Sequence, residues 1–318
     1  DRDGRRQSRG ERMSAGLNAA ALSGLPAAVR RPPVRAAVAP GVVHLGLGAF
    51  HRAHQAVVYD ALAAKGDDRW GVFGVAMRSP ELVAALRAQD HYYAVEIASR
   101  AESWWQVIGT LRDTAVAANE PQRVVEAMAA PSTRWITLTV TEKAYNAALA
   151  QFIVQGLQAR HARGLPGVTV ASCDNLSSNG DQLRALCVEA ARSIDSALAT
   201  WIDQQCRFPN SMVDRIVPQS DARVRQAALQ ALGVEDQAPL STEGFWEWAI
   251  ERTQLEPSDA QALASVGVMV VDDVKAFEEA KLRMLNGVHS AIACIGAKHG
   301  ARNRQPALGA RICAWISG

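Results

Sequence analysis

The 318-residue chain contains no C-x-x-C pair. Its five cysteines (Cys173, Cys187, Cys206, Cys294 and Cys313) are odd in number and widely spaced. That usage excludes a disulfide scaffold and fits a reduced, cytoplasmic protein. No apolar run approaches the roughly eighteen residues that a membrane span needs. Net charge is only +2, so summed charge gives no argument for a nucleic-acid or membrane partner. There is no internal repeat, and no low-complexity stretch beyond the first dozen residues. Those residues, D-R-D-G-R-R-Q-S-R-G-E-R, are rich in arginine but interspersed with acids, which argues against a transit peptide. Met13 is a candidate start, and residues 1–36 are expected to be extended or loose.

What remains is ordinary globular chain, 48% hydrophobic and 21% charged, long enough for a large core and about two domains. Val42-Val43-His44-Leu45 is a short apolar run that ends in Gly46-Leu47-Gly48, and a helical pattern follows through Ala64. Strand, glycine turn and helix in that order form the setting of a dinucleotide fingerprint, although Phe50, His51 and Arg52 stand where a third glycine is usual. In such a turn Gly46 and Gly48 let the backbone approach a pyrophosphate, and Arg52 can add a charge-assisted contact.

A second strand is expected at 71–76. Where an acid would hold the adenosine ribose, the chain has Met77-Arg78. Arg78 can accept a 2′-phosphate, lie near adenine or be a surface arginine in a turn, so NAD and NADP both stay open. Segments 93–98 and 104–111 read as a hairpin inserted into the sheet. Segment 135–140 reads as a strand with Glu142 and Lys143 at its carboxyl end, where ligands bind in open α/β sheets. Further helices are expected at 120–130, 147–163 and 180–202, with strands at 168–173 and 266–271. Alternation of this kind predicts a mostly parallel sheet covered on both faces.

Glu278-Glu279-Ala280-Lys281-Leu282-Arg283-Met284-Leu285-Asn286-Gly287-Val288-His289 reads as a helix. Asn286 and His289, three apart, share a face. Lys281 lies roughly 140° round from Asn286 at 3.6 residues per turn, and its long stem would have to carry the amine across. This run, K-L-R-M-L-N-G-V-H-S, resembles the signature of the long-chain mannitol dehydrogenase family. Four more stretches resemble that family in the same order: V-H-L-G-L-G-A-F-H-R-A-H-Q (43–55), T-V-T-E-K-A-Y (139–145), S-C-D-N-L-S-S-N-G (172–180) and F-P-N-S-M-V-D-R-I-V-P (208–218). The family also has the G-x-G-x-F-x-R form of the turn.

The resemblance implies an α/β fold, a Rossmann-type mostly parallel sheet followed by the start of a C-terminal α-helical domain. It implies an NAD-dependent polyol or sugar-acid dehydrogenase, with NADP possible, acting on a small molecule such as mannitol or mannonate. By motif position Lys281 becomes the general acid/base. Asn286 and Asn175 become amide donors to the substrate oxygen, with Asn179 a weaker substitute for Asn175. His289 orients substrate hydroxyls, Asp214 lies near nicotinamide and substrate, and Glu278 relays protons. Gly46, Gly48, Phe50, Arg52, Arg78, Glu142 and Lys143 fall on the cofactor side. No metal is expected, because His51 and His54 have no cysteine pair or acid to complete a zinc set. Nor is there a Tyr-x-x-x-Lys arrangement.

Plainer roles exist for several of these residues: Asp214 in an ion pair with Arg215, and Glu278, Glu142 and Lys143 as solvated charges. The chain departs from the family pattern between Tyr145 and Ala147, where it is short, at Ala144 in place of glycine, and from residue 297 onward, where the sequence looks unrelated. The expected organisation is a loose segment at 1–36, a dinucleotide domain at 37–271 and a curtailed substrate domain at 272–318. The alternative is an inactive dinucleotide-binding remnant. Oligomeric state is left open.

Overall fold

A computed structural model describes residues 16–34, 39–99 and 102–281. The chain divides into two compact units, Asp1–Asp272 and Asp273–Gly318. The strands of the first unit are β1 (Val42–Leu45), β2 (Val72–Ala76), β3 (Tyr93–Ala98), β4 (Ser103–Ile108), β5 (Leu111–Val116), β6 (Trp135–Leu138), β7 (Thr169–Ser172), β8 (Ser211–Asp214), β9 (Leu240–Glu243), β10 (Glu247–Glu251) and β11 (Met269–Val271). Its helices are α1 (Ala49–Ala53), α2 (Gln55–Ala64), α3 (Pro80–Ala88), α4 (Pro121–Met128), α5 (Ala147–Ala162), α6 (Asn179–Arg192), α7 (Ser196–Gln205), α8 (Ala222–Leu232) and α9 (Pro257–Ser265).

Five parallel strands form the central sheet in the order β5-β2-β1-β6-β7. Their alternate residues feed two cores, as the two-residue period of a strand requires. Val43, Leu45, Val75, Ile136 and Val170 face one core, shared with Ile153 and Leu157 of α5 and Leu183 of α6. Val42, Val72, Trp135 and Ala171 face the other, shared with Tyr59 and Leu62 of α2 and Leu263 of α9. The predicted Rossmann-type architecture is therefore present.

Two further sheets flank it, in the orders β11-β10-β8 and β4-β3-β9. The β3–β4 hairpin is antiparallel as expected, but it lies outside the parallel sheet and pairs instead with β9. The composition predicts one strand over 104–111. Gly109 and Thr110 break it, and a separate β5 continues beside β2. Gly109 has no room for a side chain, since a Cβ there would sit 2.7 Å from Pro32.

The expected long helix at 180–202 is two helices, because Asp195 caps α7 by accepting the Ala197 N–H at 3.0 Å. Residues 16–34, expected to be loose, are packed. Leu17, Leu25 and Val29 are buried with Tyr92, Trp105 and Leu232 in a third core. Their spacing of eight and four residues would suit a helix, but Gly24 and Pro26 interrupt the run, so composition argues against a packed element. No helix among the described residues is long and apolar enough to cross a membrane.

In the second unit, described to Lys281, the one helix is α10 (Lys275–Lys281). Asp273 accepts the Lys275 N–H at 2.8 Å and so fixes its start. Glu278 and Lys281 lie on this helix, both half-buried. Asn286 and His289 lie outside the described residues.

Candidate active site

Strand β1 runs into its turn with Gly46 at φ +98°, a conformation open to glycine and costly for residues with a Cβ. A Cβ at Gly46 would also lie 2.2 Å from the Thr139 carbonyl oxygen. The Gly46 and Leu47 N–H groups donate to the Val75 carbonyl at 2.9 and 2.8 Å. Gly48 is different: its backbone is extended, and a Cβ there would meet nothing nearer than 3.6 Å. The first glycine is thus required by the fold, while the second leaves open space where α1 begins.

The floor of the turn is a directed hydrogen-bond chain. Thr139 Oγ1 donates to the Gly46 carbonyl at 3.0 Å, so it accepts from His44 Nε2 at 2.8 Å. His44 Nδ1 then accepts from the Thr137 hydroxyl, also at 2.8 Å. Burial pushes the His44 pKa down to about 3, which keeps this ring neutral and the chain in one direction.

Beyond the turn a cleft of ≈ 640 Å³ opens at the carboxyl ends of β2, β5 and β6. Met77, Ala117, Val140, Leu149 and Phe152 supply apolar walls, and Arg78 and Lys143 supply positive charge. None of its described lining residues is an acid. Such a lining suits a flat apolar ring attached to an anion.

The wall between these charges is unusual. Thr141 has φ +75° and ψ 153°, a region nearly reserved for glycine, with a cost of order 1–3 kcal/mol. Asp174, just past β7, bonds the backbone at this point. Its carboxylate accepts the Val140 N–H at 2.9 Å, the Thr141 N–H at 3.0 Å and the Tyr145 hydroxyl at 2.9 Å. Burial pushes the Asp174 carboxyl above the usual range, against the pull of these donors. The Tyr145 hydroxyl also meets Ser172 Oγ at the end of β7. The motif points to Asn175, whereas the structure gives the bonds at the wall to Asp174. An acid one residue past a predicted strand, with a tyrosine after the neighbouring strand, was the available signal.

The structure brings Arg78 and Lys143 into one cleft, with Gly46 against its Thr139–Val140 edge. Glu142 is exposed beside Lys143 in a short 3-10 turn. Phe50 stacks on His54 at 5.0 Å between ring centres. Arg52 turns inward: it is 6% exposed, donates to the Ala238 carbonyl at 2.6 Å and lies 5.1 Å over the Tyr93 ring. That guanidinium is committed to the interior.

Asn175 is exposed, whereas Asn179 is buried and fully used. Asn179 donates to the Asp174 and Ser211 carbonyls at 3.0 and 2.8 Å and accepts the Ser211 N–H at 2.9 Å. Asp214 ends β8, half-buried opposite Glu247 of β10. Its neighbour Arg215 donates to the carbonyls of Ala53 and of Glu243, the latter at 2.9 Å. Burial lowers the Arg215 pKa to about 10.

Residues 40–262 match the family model for the mannitol dehydrogenase Rossmann domain. The chain belongs to the mannitol dehydrogenase family. It is 36% identical over 300 residues to a mannitol 2-dehydrogenase of Aspergillus terreus, covering 83% of this chain and 59% of the relative. It is 32% identical over 318 residues to a polyol:NADP oxidoreductase of Gluconobacter oxydans, covering 90% and 65%. Among solved structures it resembles a Pseudomonas fluorescens mannitol 2-dehydrogenase ternary complex with NAD and D-mannitol. That likeness has a TM-score of 0.82 and 31% identity, covering 95% of this chain and 68% of that one. The chain spans less than two thirds of the length of these two curated family relatives.

Proposed function

We propose that the chain binds a nicotinamide dinucleotide across the Gly46–Gly48 turn and the adjoining cleft. On this reading it serves hydride exchange at a secondary alcohol of a polyol or sugar acid, D-mannitol/D-fructose or D-mannonate/D-fructuronate. One observation carries the reading: a glycine turn with no room for a side chain at Gly46 and open space at Gly48 adjoins an acid-free cleft at the strand ends. Gly48 leaves room for a pyrophosphate to approach the backbone. Met77, Ala117 and Val140 offer an apolar bed for an adenine, and Arg78 and Lys143 face whatever phosphate or ribose it carries. The dinucleotide, when bound, supplies the hydride acceptor or donor.

The protein's own part is proton transfer and charge stabilisation. Lys281 removes the alcohol proton, a task that needs an amine poised near neutral pH. Asn175 and Asn286 donate hydrogen bonds to the oxygen as it gains charge, and His289 orients hydroxyls. Asp214 lies toward the nicotinamide and substrate, and Glu278 passes the proton on. These roles follow from family motif positions. No metal takes part, since an amine and amides suffice for both tasks. A cytoplasmic location is inferred from cysteine usage, with Cys173, Cys187 and Cys206 all free and buried.

The test is a titration of the purified chain with NADH and NADPH, followed by assays with fructose and fructuronate. Binding with turnover that Lys281→Ala abolishes supports the whole reading. Binding without turnover leaves a dinucleotide-binding module, and absence of binding overturns the reading.

A further inference from the structure

The molecule holds Val140 and Thr141 from two sides. On the β1 side Thr139 is tied to His44 and Gly46. On the β7 side one carboxylate takes three donors: Oδ1 accepts Thr141 N–H, and Oδ2 accepts Val140 N–H and the Tyr145 hydroxyl. We propose that Asp174 is a positioning residue, whose carboxylate holds Thr141 in a left-handed conformation and so shapes the cleft wall before a dinucleotide arrives. The proposal rests on the cleft being the dinucleotide site.

A β-branched residue does not adopt φ +75° unless its surroundings impose it. The imposing contact is visible, because both backbone N–H groups on either side of the Val140–Thr141 link point at the same carboxylate. Removing that acceptor leaves Thr141 free to return to negative φ, which swings the following turn, with Lys143, away from its place in the cleft. Nothing in the network requires Asp174 to touch a ligand. Its effect is preorganisation: the wall is set in advance, and binding does not bear the cost of ordering it.

The test uses the full chain, titrated with NADH and NADPH by nicotinamide fluorescence and melted in parallel. D174N keeps size but replaces one acceptor oxygen with an amide NH2, so at least one of the three donors loses its acceptor. We expect about a tenfold rise in the Kd of the better-bound dinucleotide. T141G pays no penalty at positive φ, so in the D174N background it should bring binding back to within about threefold of wild type. If D174N does not fold, Y145F, which removes a single donor, should weaken binding in the same direction by a smaller factor.

A D174N chain that melts lower yet binds like wild type overturns the proposal, since the contact would then be structural only. So does a D174N loss that T141G leaves untouched. Failure of the wild-type chain to bind either nucleotide is a separate result: it removes the dinucleotide reading, and this inference falls with it.

Discussion

The imidazole rings of His44 and His51 lie face to face inside the protein, centroids 3.5 Å apart and 17° from parallel. Two protonated rings at that distance would repel in a medium that screens poorly, and burial already disfavours either charge. Both pKa values are driven below the ordinary 6.5, His44 to about 3 and His51 well below. The sign follows directly. Between pH 6.5 and about 3 the unfolded chain takes up protons that the folded chain refuses, so stability is full above pH 6.5 and falls as pH drops. His44 alone should cost about 2 kcal/mol between pH 7 and pH 5, and His51 acts in the same direction. The raised carboxyls of Asp174 and Asp236 act in the opposite sense as pH falls toward the ordinary 3.8. Urea unfolding at several pH values checks this, and His51→Asn should flatten the slope by about 1.4 kcal/mol per unit at most.

The two glycines of the turn should separate experimentally. Gly46→Ala forces a methyl into the Thr139 carbonyl at positive φ, and we expect a loss of about 3 kcal/mol or more, read as a lower urea midpoint. Gly48→Ala meets only ordinary contacts and should change stability by less than about 1 kcal/mol. Its methyl would occupy the space a pyrophosphate needs, so NADH binding should weaken at least about tenfold.

Arg78 is exposed at the end of β2, in a cleft whose described lining contains no acid to read a ribose diol. Arg78→Ala should raise the Kd for NADPH by about tenfold, as expected for loss of one charge-assisted contact, and that for NADH by less than about twofold. Parallel fluorescence titrations give both numbers. Equal losses would mean that the arginine lies along the adenine and not against a phosphate.

Asp259 is 2% exposed, yet it binds Arg134 Nη1 with both oxygens at 2.6 and 2.8 Å, Trp135 Nε1 at 2.7 Å and Arg69 at 3.3 Å. It fastens α9 to the start of β6. Asp259→Ala leaves a guanidinium and an indole N–H without their acceptor and should cost about 3 kcal/mol, with nucleotide affinity preserved in the folded fraction. Thermal and urea unfolding of the variant check the first part, and titration checks the second.

Much of the parallel sheet was legible because its units are local. The run 42–45, the glycines and the helix that follow lie within about two dozen residues, and one period governs each piece. The flanking sheets were not legible. β9 mixes a leucine with serine, threonine and glutamate, and its partner β3 lies in the first third of the chain, so no window contains both. The break at Gly109–Thr110 was hidden by a continuous strand-like composition. At the site, glycines and charges at strand ends announced themselves by position. Arg52 shows the opposite limit: an arginine after a glycine turn reads as a phosphate ligand, and only the fold reveals the carbonyl of Ala238 waiting for it. Asp174 was obscured by the asparagine beside it in the motif.

The ties that close the first unit reach far along the chain, 186 residues from Arg52 to Ala238 and 193 from His54 to the Glu247 carbonyl. A ribosome must likewise deliver β9 before β3 gains its second neighbour. At about 5–20 residues per second the nascent hairpin spends roughly 7–27 s with one flank uncovered. Other unfolded chains offer strands in that interval, so yield in cells should depend on holding chaperones more than the finished protein's stability suggests.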